Sequence, residues 1–140
     1  MIVQSSYQPS LTIPFRYCLG FKGLPYQTVW IEYPNISDKL KILGAAPGGT
    51  LPDGNSFYTL PAIEDPNRLD KDGKPTVVAD SFAIATYLDE KYPNTKPLIP
   101  KGTEVLQAVF EEYFVKNILF PGGAIFLPLF FEVLTEESRP

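Results

Sequence analysis

The segments TLPAIED (residues 59–65) and VVADSFAIATYLDEKY (residues 77–92) decide the fold of this chain. The first predicts a strand that begins at a proline, and the second predicts a strand leading into a helix with Ile84 and Leu88 on its apolar face. Pro61 cannot donate a ladder hydrogen bond, so it belongs at a strand edge or in a turn. Asp80 and Ser81 stand where the second strand gives way to the helix.

The pair Asp80–Ser81 allows two interpretations. In one, it only caps the helix, as these residue types commonly do. In the other, the unpaired first amides of the helix and the Ser81 hydroxyl hold a carboxylate, while Asp80 takes an ammonium group. Leu60–Pro61 would then offer a backbone edge to an extended, amino-acid-like ligand. An ordinary edge proline is the alternative at that position.

Composition excludes several classes of function. The chain has 140 residues with 44% apolar content, enough for one domain, or for one domain and part of another. Its net charge of -4 argues against nucleic-acid binding, and the lack of histidine excludes imidazole chemistry. Cys18 is the single cysteine, so we expect no internal disulfide and interpret it as a small core residue. No metal site is predicted.

Targeting signals are weak. Residues 1–10 lack a basic start and a sustained apolar centre, so we expect no secretory signal and a cytoplasmic location. The uncharged stretch 117–131 is too short and too broken by Pro and Gly to span a membrane. It predicts two helical pieces with a bend.

The remaining elements follow from periodicity and breakers. A first helix is expected from Pro14 to Gly23, a strand over 27–33, a second helix closed by Gly44 and a loop over 45–56. SFYTL and PAIED would form the next strand, and residues 70–75 a turn into TVVAD. A longer helix begins near Thr103, and residues 135–137 predict a further helix start. The candidate first strand, MIVQSS, is short and half polar.

Several of these motifs, in this order, resemble one known family. YTLPAI and VVADSFAIATYLDEKYP are similar to the glutathione-binding half of soluble glutathione transferases. RYCLGFKGLPYQTVWIEYPNI, GGTLPDGNSFYTLPAI and DEKYPNTKPLIPKGT resemble a fungal subgroup related to bacterial β-etherases, and the likeness covers roughly residues 9–140. It implies an α/β, thioredoxin-like glutathione-binding domain over residues 1–95, in the order βαβαββα with a short or degenerate first strand. Residues 96–140 would begin an incomplete all-α domain.

The resemblance also implies a site and a chemistry. Glutathione would be the cosubstrate, Leu60 would pair with its cysteinyl backbone, Pro61 would be cis, and Asp80 with Ser81 would hold the γ-glutamyl end. A serine beside a proline would activate the thiol, and by spacing it falls at Ser10, with the order of Pro9 and Ser10 reversed. The other hydroxyl candidates are Thr12 and Tyr7, and Ser10 as a surface turn residue is the alternative.

The implied reaction is glutathione-dependent conjugation, or β-aryl ether cleavage, of a hydrophobic aromatic electrophile. A noncatalytic thioredoxin-like glutathione-binding or protein-interaction module, or an inactive fragment, is the other hypothesis. The family resemblance also allows a homodimer, to which Phe57, Tyr58, Phe110 and Phe114, aromatic residues expected to be exposed, would contribute.

Overall fold

The computed structural model describes the backbone of residues 1–6, 9–132 and 134–138, and the side chains of residues 1–3, 16–125, 128 and 134–138. Along the described residues, the strands and α-helices up to residue 91 are β1 (Ile2–Ser6), α1 (Pro9–Lys22), β2 (Gln27–Ile31), α2 (Ile36–Leu43), β3 (Gly49–Thr50), β4 (Ser56–Phe57), β5 (Ala62–Leu69), β6 (Pro75–Ala79) and α3 (Ser81–Lys91). They are followed by α4 (Glu104–Phe114), a π-helical segment (Val115–Leu119), α5 (Phe120–Glu132) and a 3₁₀ turn (Glu136–Ser138). Another 3₁₀ turn (Tyr33–Asn35) lies between β2 and α2.

Four strands form a mixed sheet in the order β2-β1-β5-β6. β1 runs parallel to β2 and antiparallel to β5, and β5 runs antiparallel to β6. This is the thioredoxin-like layout that the sequence predicts. β1 is five residues long, the same length as β2 and β6, and it occupies the interior of the sheet. Its Val3 is fully buried, so the half-polar first segment supplies a central strand.

The helices cover both faces of the sheet. One cluster joins α1, α3 and the sheet through buried residues Val3, Leu19, Ile63, Ile84 and Leu88. The other joins α2 and the sheet through Ile31, Ile36, Leu40, Ala45 and Ala62. Ala62 and Ile63 therefore serve opposite faces, as alternation along a strand requires. The predicted apolar face of α3, with Ile84 and Leu88, is confirmed.

The prediction of a first helix beginning at Pro14 is wrong, because α1 begins at Pro9. A proline suits the first turn of a helix, since its fixed φ is helical and its missing N–H would have no partner there. The predicted strand over SFYTL is also shorter than expected. Only Ser56–Phe57 is a strand, and it pairs with Gly49–Thr50 inside the predicted loop. A Cβ added at Gly49 would lie 2.5 Å from a ring carbon of Phe57, so glycine permits this close packing.

The prediction of two bent helical pieces over residues 117–131 is corrected as well. Residues 104–132 are helical throughout, and the irregularity is the π-helical segment Val115–Leu119. Pro121 has no N–H to complete the regular ladder, and a π-bulge accommodates such a local mismatch. Thr103 is the N-cap of α4, close to the predicted start. Over the described ranges, no helix combines the length and apolar character that crossing a membrane requires.

The predicted helix start at residues 135–137 is a single 3₁₀ turn that docks against the end of β2. The Thr135 hydroxyl donates to Glu32 Oε2 over 2.6 Å, and the Ser138 hydroxyl donates to the same oxygen. Tyr33 N donates to Ser138 Oγ over 3.0 Å. These hydrogen bonds attach the 3₁₀ turn after α5 to the residues that follow β2.

Candidate functional site

The two motifs that the sequence singles out meet at one end of the sheet. Ala62 of β5 pairs with Ala79 of β6, so the residues just outside that pair, Pro61 and Asp80, face each other. The Asp80 amide donates to the Pro61 carbonyl oxygen over 3.3 Å. The Leu60–Pro61 bond is cis, as the family resemblance implies. The proline turn and the start of α3 therefore form one continuous edge.

Leu60 brings a backbone edge to this site. Its side chain packs against the cluster around α2, and the Pro61 side chain is buried, which holds the turn in place. Within the described ranges, the N–H and carbonyl groups of Leu60 make no hydrogen bond. Backbone groups of this kind require partners, and an extended ligand can supply them by pairing as an added strand.

Asp80 is the N-cap of α3, and its backbone conformation is unfavourable for a residue other than glycine. Its φ of 81° and ψ of 139° lie in a region that non-glycine residues rarely occupy. Its Oδ1 accepts from Ala83 N over 3.0 Å, and its carbonyl accepts from Ile84 N over 2.9 Å. The capping interpretation is thus correct for one carboxylate oxygen. Strained residues of this kind concentrate at functional sites, which points to a further role for the side chain.

The remaining polar groups at the start of α3 complete an anion-binding arrangement. Ser81 is exposed, and in the part of the chain that the structure describes its hydroxyl has no hydrogen-bond partner. Asp80 occupies the amides of Ala83 and Ile84, which leaves those of Ser81 and Phe82 free of described partners at the positive end of the helix. A ligand carboxylate fits these amides, while the exposed second oxygen of Asp80 can accept from an ammonium group. Capping and ligand binding are therefore compatible.

The hydroxyl candidates lie on another element. Ser10 and Thr12 belong to the first turn of α1. The expected position of Ser10, between the first strand and the first helix, is therefore wrong, because Ser10 lies inside the helix. The side chains of both residues, and Tyr7 altogether, lie outside the described part of the chain. Their role in activating a thiol stays a prediction.

Cys18 is half-buried on α1 and not a fully buried core residue. Burial first, and then the negative charge of Asp89, raise the pKa of its thiol, which outweighs the opposing effect of Lys22. A raised pKa disfavours the thiolate, in agreement with a packing role. Among the described side chains, no cluster of three or more His, Cys, Asp or Glu residues is placed to hold a metal ion.

A buried polar network on the same strand and helix that frame the site was not foreseen from the sequence. Asp65 of β5 is fully buried, and its Oδ2 accepts from the Tyr87 hydroxyl over 2.9 Å and from the Tyr92 hydroxyl over 2.5 Å. Asn67 N donates to Asp65 Oδ1 over 3.1 Å. Burial, followed by the hydrogen bond to Asp65, raises the pKa of Tyr87 above its usual range. Strand alternation was the signal that could have revealed it, because it places Asp65 on the same face as the apolar residue Ile63.

A surface cavity of about 420 Å³ lies elsewhere, lined by Arg68, Glu90, Lys91, Tyr92, Pro93, Asn94 and Thr95. It is at the end of α3 opposite Asp80, about 16 Å away by the rise of an eleven-residue helix. Arg68 donates to the Lys91 carbonyl over 3.3 Å, and Lys91 pairs with Glu90. These charged groups of the cavity already have partners within the chain. The edge at Leu60–Pro61 and Asp80–Ser81 is therefore the stronger candidate for ligand binding.

Comparisons with known proteins relate this chain to one family. The family model described as the glutathione S-transferase N-terminal domain matches residues 12–91. A glutathione S-transferase-like protein of Aspergillus flavus is 38% identical over 93 residues, which are 66% of this chain and 32% of that protein. A glutathione S-transferase of Ceriporiopsis subvermispora, solved in complex with glutathione, is 38% identical with a TM-score of 0.84. The same identity and TM-score apply to the glutathione transferase GSTFuA3 of Phanerochaete chrysosporium.

Length separates this chain from these relatives. The alignment to each of the two solved structures covers 99% of this chain and 56% of the other. The chain therefore spans about half the length of the solved relatives and about a third of the curated one.

Proposed function

Since this chain belongs to the glutathione S-transferase family through its N-terminal domain, we propose that it binds glutathione at the edge formed by Leu60, Pro61, Asp80 and Ser81. The observation that carries the proposal is the hydrogen bond from Asp80 N to Pro61 O, which joins a free backbone edge to a helix start. Two solved relatives, 38% and 35% identical, are complexes with glutathione, which supports the assignment.

The groups of glutathione match the groups of the edge. Its γ-glutamyl carboxylate would accept from the Ser81 hydroxyl and from the first amides of α3, where negative charge is favoured. Its ammonium group would donate to the Asp80 oxygen that does not cap the helix. The cysteinyl backbone would pair with Leu60 in the manner of an added strand. We propose residues 1–95 as the domain that performs this binding and residues 96–140 as the start of a helical domain.

We propose that the chemistry is activation of the glutathione thiol. A hydroxyl from Ser10, or second from Thr12, would donate to the sulfur and favour the thiolate, which is the nucleophile. The thiolate would attack an electrophilic carbon of a hydrophobic aromatic substrate, forming the C–S bond. In conjugation of an activated aryl halide the carbon–halogen bond would break, and halide would leave. In β-aryl ether cleavage the C–O bond would break, and the aryloxide would leave and take up the proton lost by the thiol.

The binding proposal predicts that Asp80→Asn and Asp80→Ala will separate capping from ligand binding. Asparagine caps helices as well as aspartate and tolerates positive φ, so Asp80→Asn should keep the urea midpoint. It removes the charge facing the ammonium group, which should weaken glutathione binding about 10- to 100-fold, since bonds to charged groups contribute about 1.5–3 kcal/mol. Asp80→Ala should lose this affinity and also about 1 kcal/mol of stability. Titration calorimetry and urea unfolding measure the two effects.

Glu90→Gln is the matched control, because Glu90 is an exposed carboxylate at the far end of the same helix. It should leave affinity unchanged. Ser81→Ala should weaken glutathione binding without affecting the Asp80 cap. A folded wild-type chain that shows no affinity for glutathione would contradict the proposal.

A noncatalytic glutathione-binding or interaction module is the second candidate. The observation in its favour is that the helical segment leaves large apolar side chains exposed, including Leu106, Phe110 and Phe120. A closed pocket for an electrophile would bury such surface. Assays of the purified chain with glutathione and either an activated aryl halide or a β-aryl ether, repeated with Ser10→Ala and Thr12→Ala, decide between the two functions. Binding without turnover of any electrophile would select the module.

We also propose that the protein acts in the cytoplasm as a homodimer and without nucleic acid. The net charge of -4 supports the exclusion of nucleic acid. The exposed aromatic residues of α4, Phe110 and Phe114, support a partner-covered face.

A further inference from the structure

From the buried network around Asp65, and resting on the proposed glutathione site, we infer that Tyr87 and Tyr92 are positioning residues for that site. They act through the orientation of α3. Pro61 directly precedes β5, and Asp65 is the fourth residue of that strand. Asp80 and Ser81 are the N-cap and the first residue of α3, and Tyr87 lies in the second half of this helix. The network therefore ties together the two elements that supply the two halves of the site.

α3 is attached to β5 at two separate places. At its start, Asp80 N donates to Pro61 O over 3.3 Å, a long bond. In its second half and just beyond its end, the hydroxyls of Tyr87 and Tyr92 donate to Asp65 Oδ2 over 2.9 and 2.5 Å. The backbone bond is longer than the usual N–H···O range, whereas the phenol bonds lie within the usual O–H···O range, so the stronger attachment is the one away from the site.

The space between the two attachments is apolar. Ile84 and Leu88 are fully buried against Val3, Leu19 and Ile63, and such contacts are not directional. Packing alone therefore allows small rotations of α3, whereas two phenols that share one carboxylate oxygen restrict them. The amides of Ser81 and Phe82 lie about 9 Å from Tyr87 along the helix. A rotation of α3 at Tyr87 would therefore move these amides relative to Leu60.

Asp65 cannot relocate to compensate for a missing phenol. Its side chain is fully buried, and its other oxygen accepts from Asn67 N at the irregularity of β5 between Asp65 and Leu69. A buried carboxylate that loses a donor must recover one by moving a neighbour. The neighbour that can move is α3, which carries the site.

The test uses Tyr87→Phe, Tyr92→Phe and Asp65→Leu, each of which removes hydrogen bonds of the network. All three should raise the Kd for glutathione about 3- to 10-fold and shift the backbone amide resonances of Ser81 and Phe82 in the unliganded protein.

Ile84→Val is the control for loss of stability alone, because it removes a buried methylene from the same helix without touching the network. When its urea midpoint falls by the same amount as that of a tyrosine variant, Ile84→Val should leave both the Kd for glutathione and the two amide resonances unchanged. If the tyrosine variants and Asp65→Leu behave like Ile84→Val, the inference is overturned. If wild type does not bind glutathione, the proposed function fails, and the amide resonances alone decide the inference.

Discussion

At the residue scale, Lys22 and Asp89 form an ion pair that fastens the segment after α3. The Lys22 side chain is 1% exposed, and its ammonium donates to Asp89 Oδ1 over 2.6 Å and to the Lys96 carbonyl over 3.0 Å. The Asp89 carboxylate also accepts from the amides of Leu98 and Ile99. We predict that Lys22→Met will lower the free energy of unfolding by about 3 kcal/mol at pH 7, since removal of one member of a buried pair leaves the other uncompensated. Urea unfolding measures it.

The loss of unfolding free energy in Lys22→Met should depend on pH in one direction. Burial alone would raise the pKa of Asp89, but the Lys22 ammonium and the two amides lower it below its ordinary value of 3.8. A lowered pKa in the folded state contributes stability above pH 3.8, and this contribution fades as pH falls through the folded value. The difference between wild type and Lys22→Met should therefore be constant near neutrality and shrink below about pH 4. The exposed pair Lys116–Glu112 is the control: Lys116→Met should cost under about 1 kcal/mol.

At the element scale, two glycines near helix ends should respond in opposite ways to alanine. Gly44 ends α2 with a φ of 77°, and its amide and that of Ala45 donate back to Lys41 and Leu40. We expect Gly44→Ala to lower stability by about 1 kcal/mol, because a Cβ disfavours this left-handed conformation. Gly20 lies inside α1, and an added Cβ there would meet nothing within 4 Å. Gly20→Ala should therefore raise stability by about 0.5–1 kcal/mol.

Thermal or urea unfolding of the two variants provides the comparison, and each is the control for the other because the chemical change is identical. A loss of stability in Gly20→Ala, or none in Gly44→Ala, would contradict the assignment of these helix ends.

At the scale of the whole molecule, apolar surface is concentrated on the helical segment after residue 103. Leu106, Phe110 and Phe120 are 67%, 59% and 74% exposed, and they lie on α4 and α5. Contiguous apolar surface of this kind favours association. We predict that light scattering of the purified chain will give a mass well above the monomer's 15.6 kDa, and that Leu106→Glu combined with Phe110→Glu will lower it.

Ile42→Glu serves as the control for this prediction, because Ile42 is a highly exposed apolar residue on α2, away from the helical segment. It should leave the mass unchanged. A monodisperse wild-type monomer would contradict the prediction.

Local sequence patterns predict much of the fold and several features of the candidate site. Pro61 at a turn before a strand, the cap at Asp80 and the apolar face of α3 at Ile84 and Leu88 follow from neighbours within one turn or one strand. The same patterns failed where two local signals competed: Pro9 and Pro14 both suit a helix start, and the choice of Pro14 was wrong.

Sequence by itself therefore determined the order of the elements, the apolar face of α3 and the residue types at the candidate site. Only the tertiary structure decided that Pro61 meets Asp80, that two tyrosines share Asp65, and that Lys22 reaches Asp89. The two tyrosine contacts and the lysine contact join residues that are 22, 27 and 67 positions apart. Such pairs depend on strand register and helix packing, and no local pattern in the chain encodes which distant partner a buried charge will find.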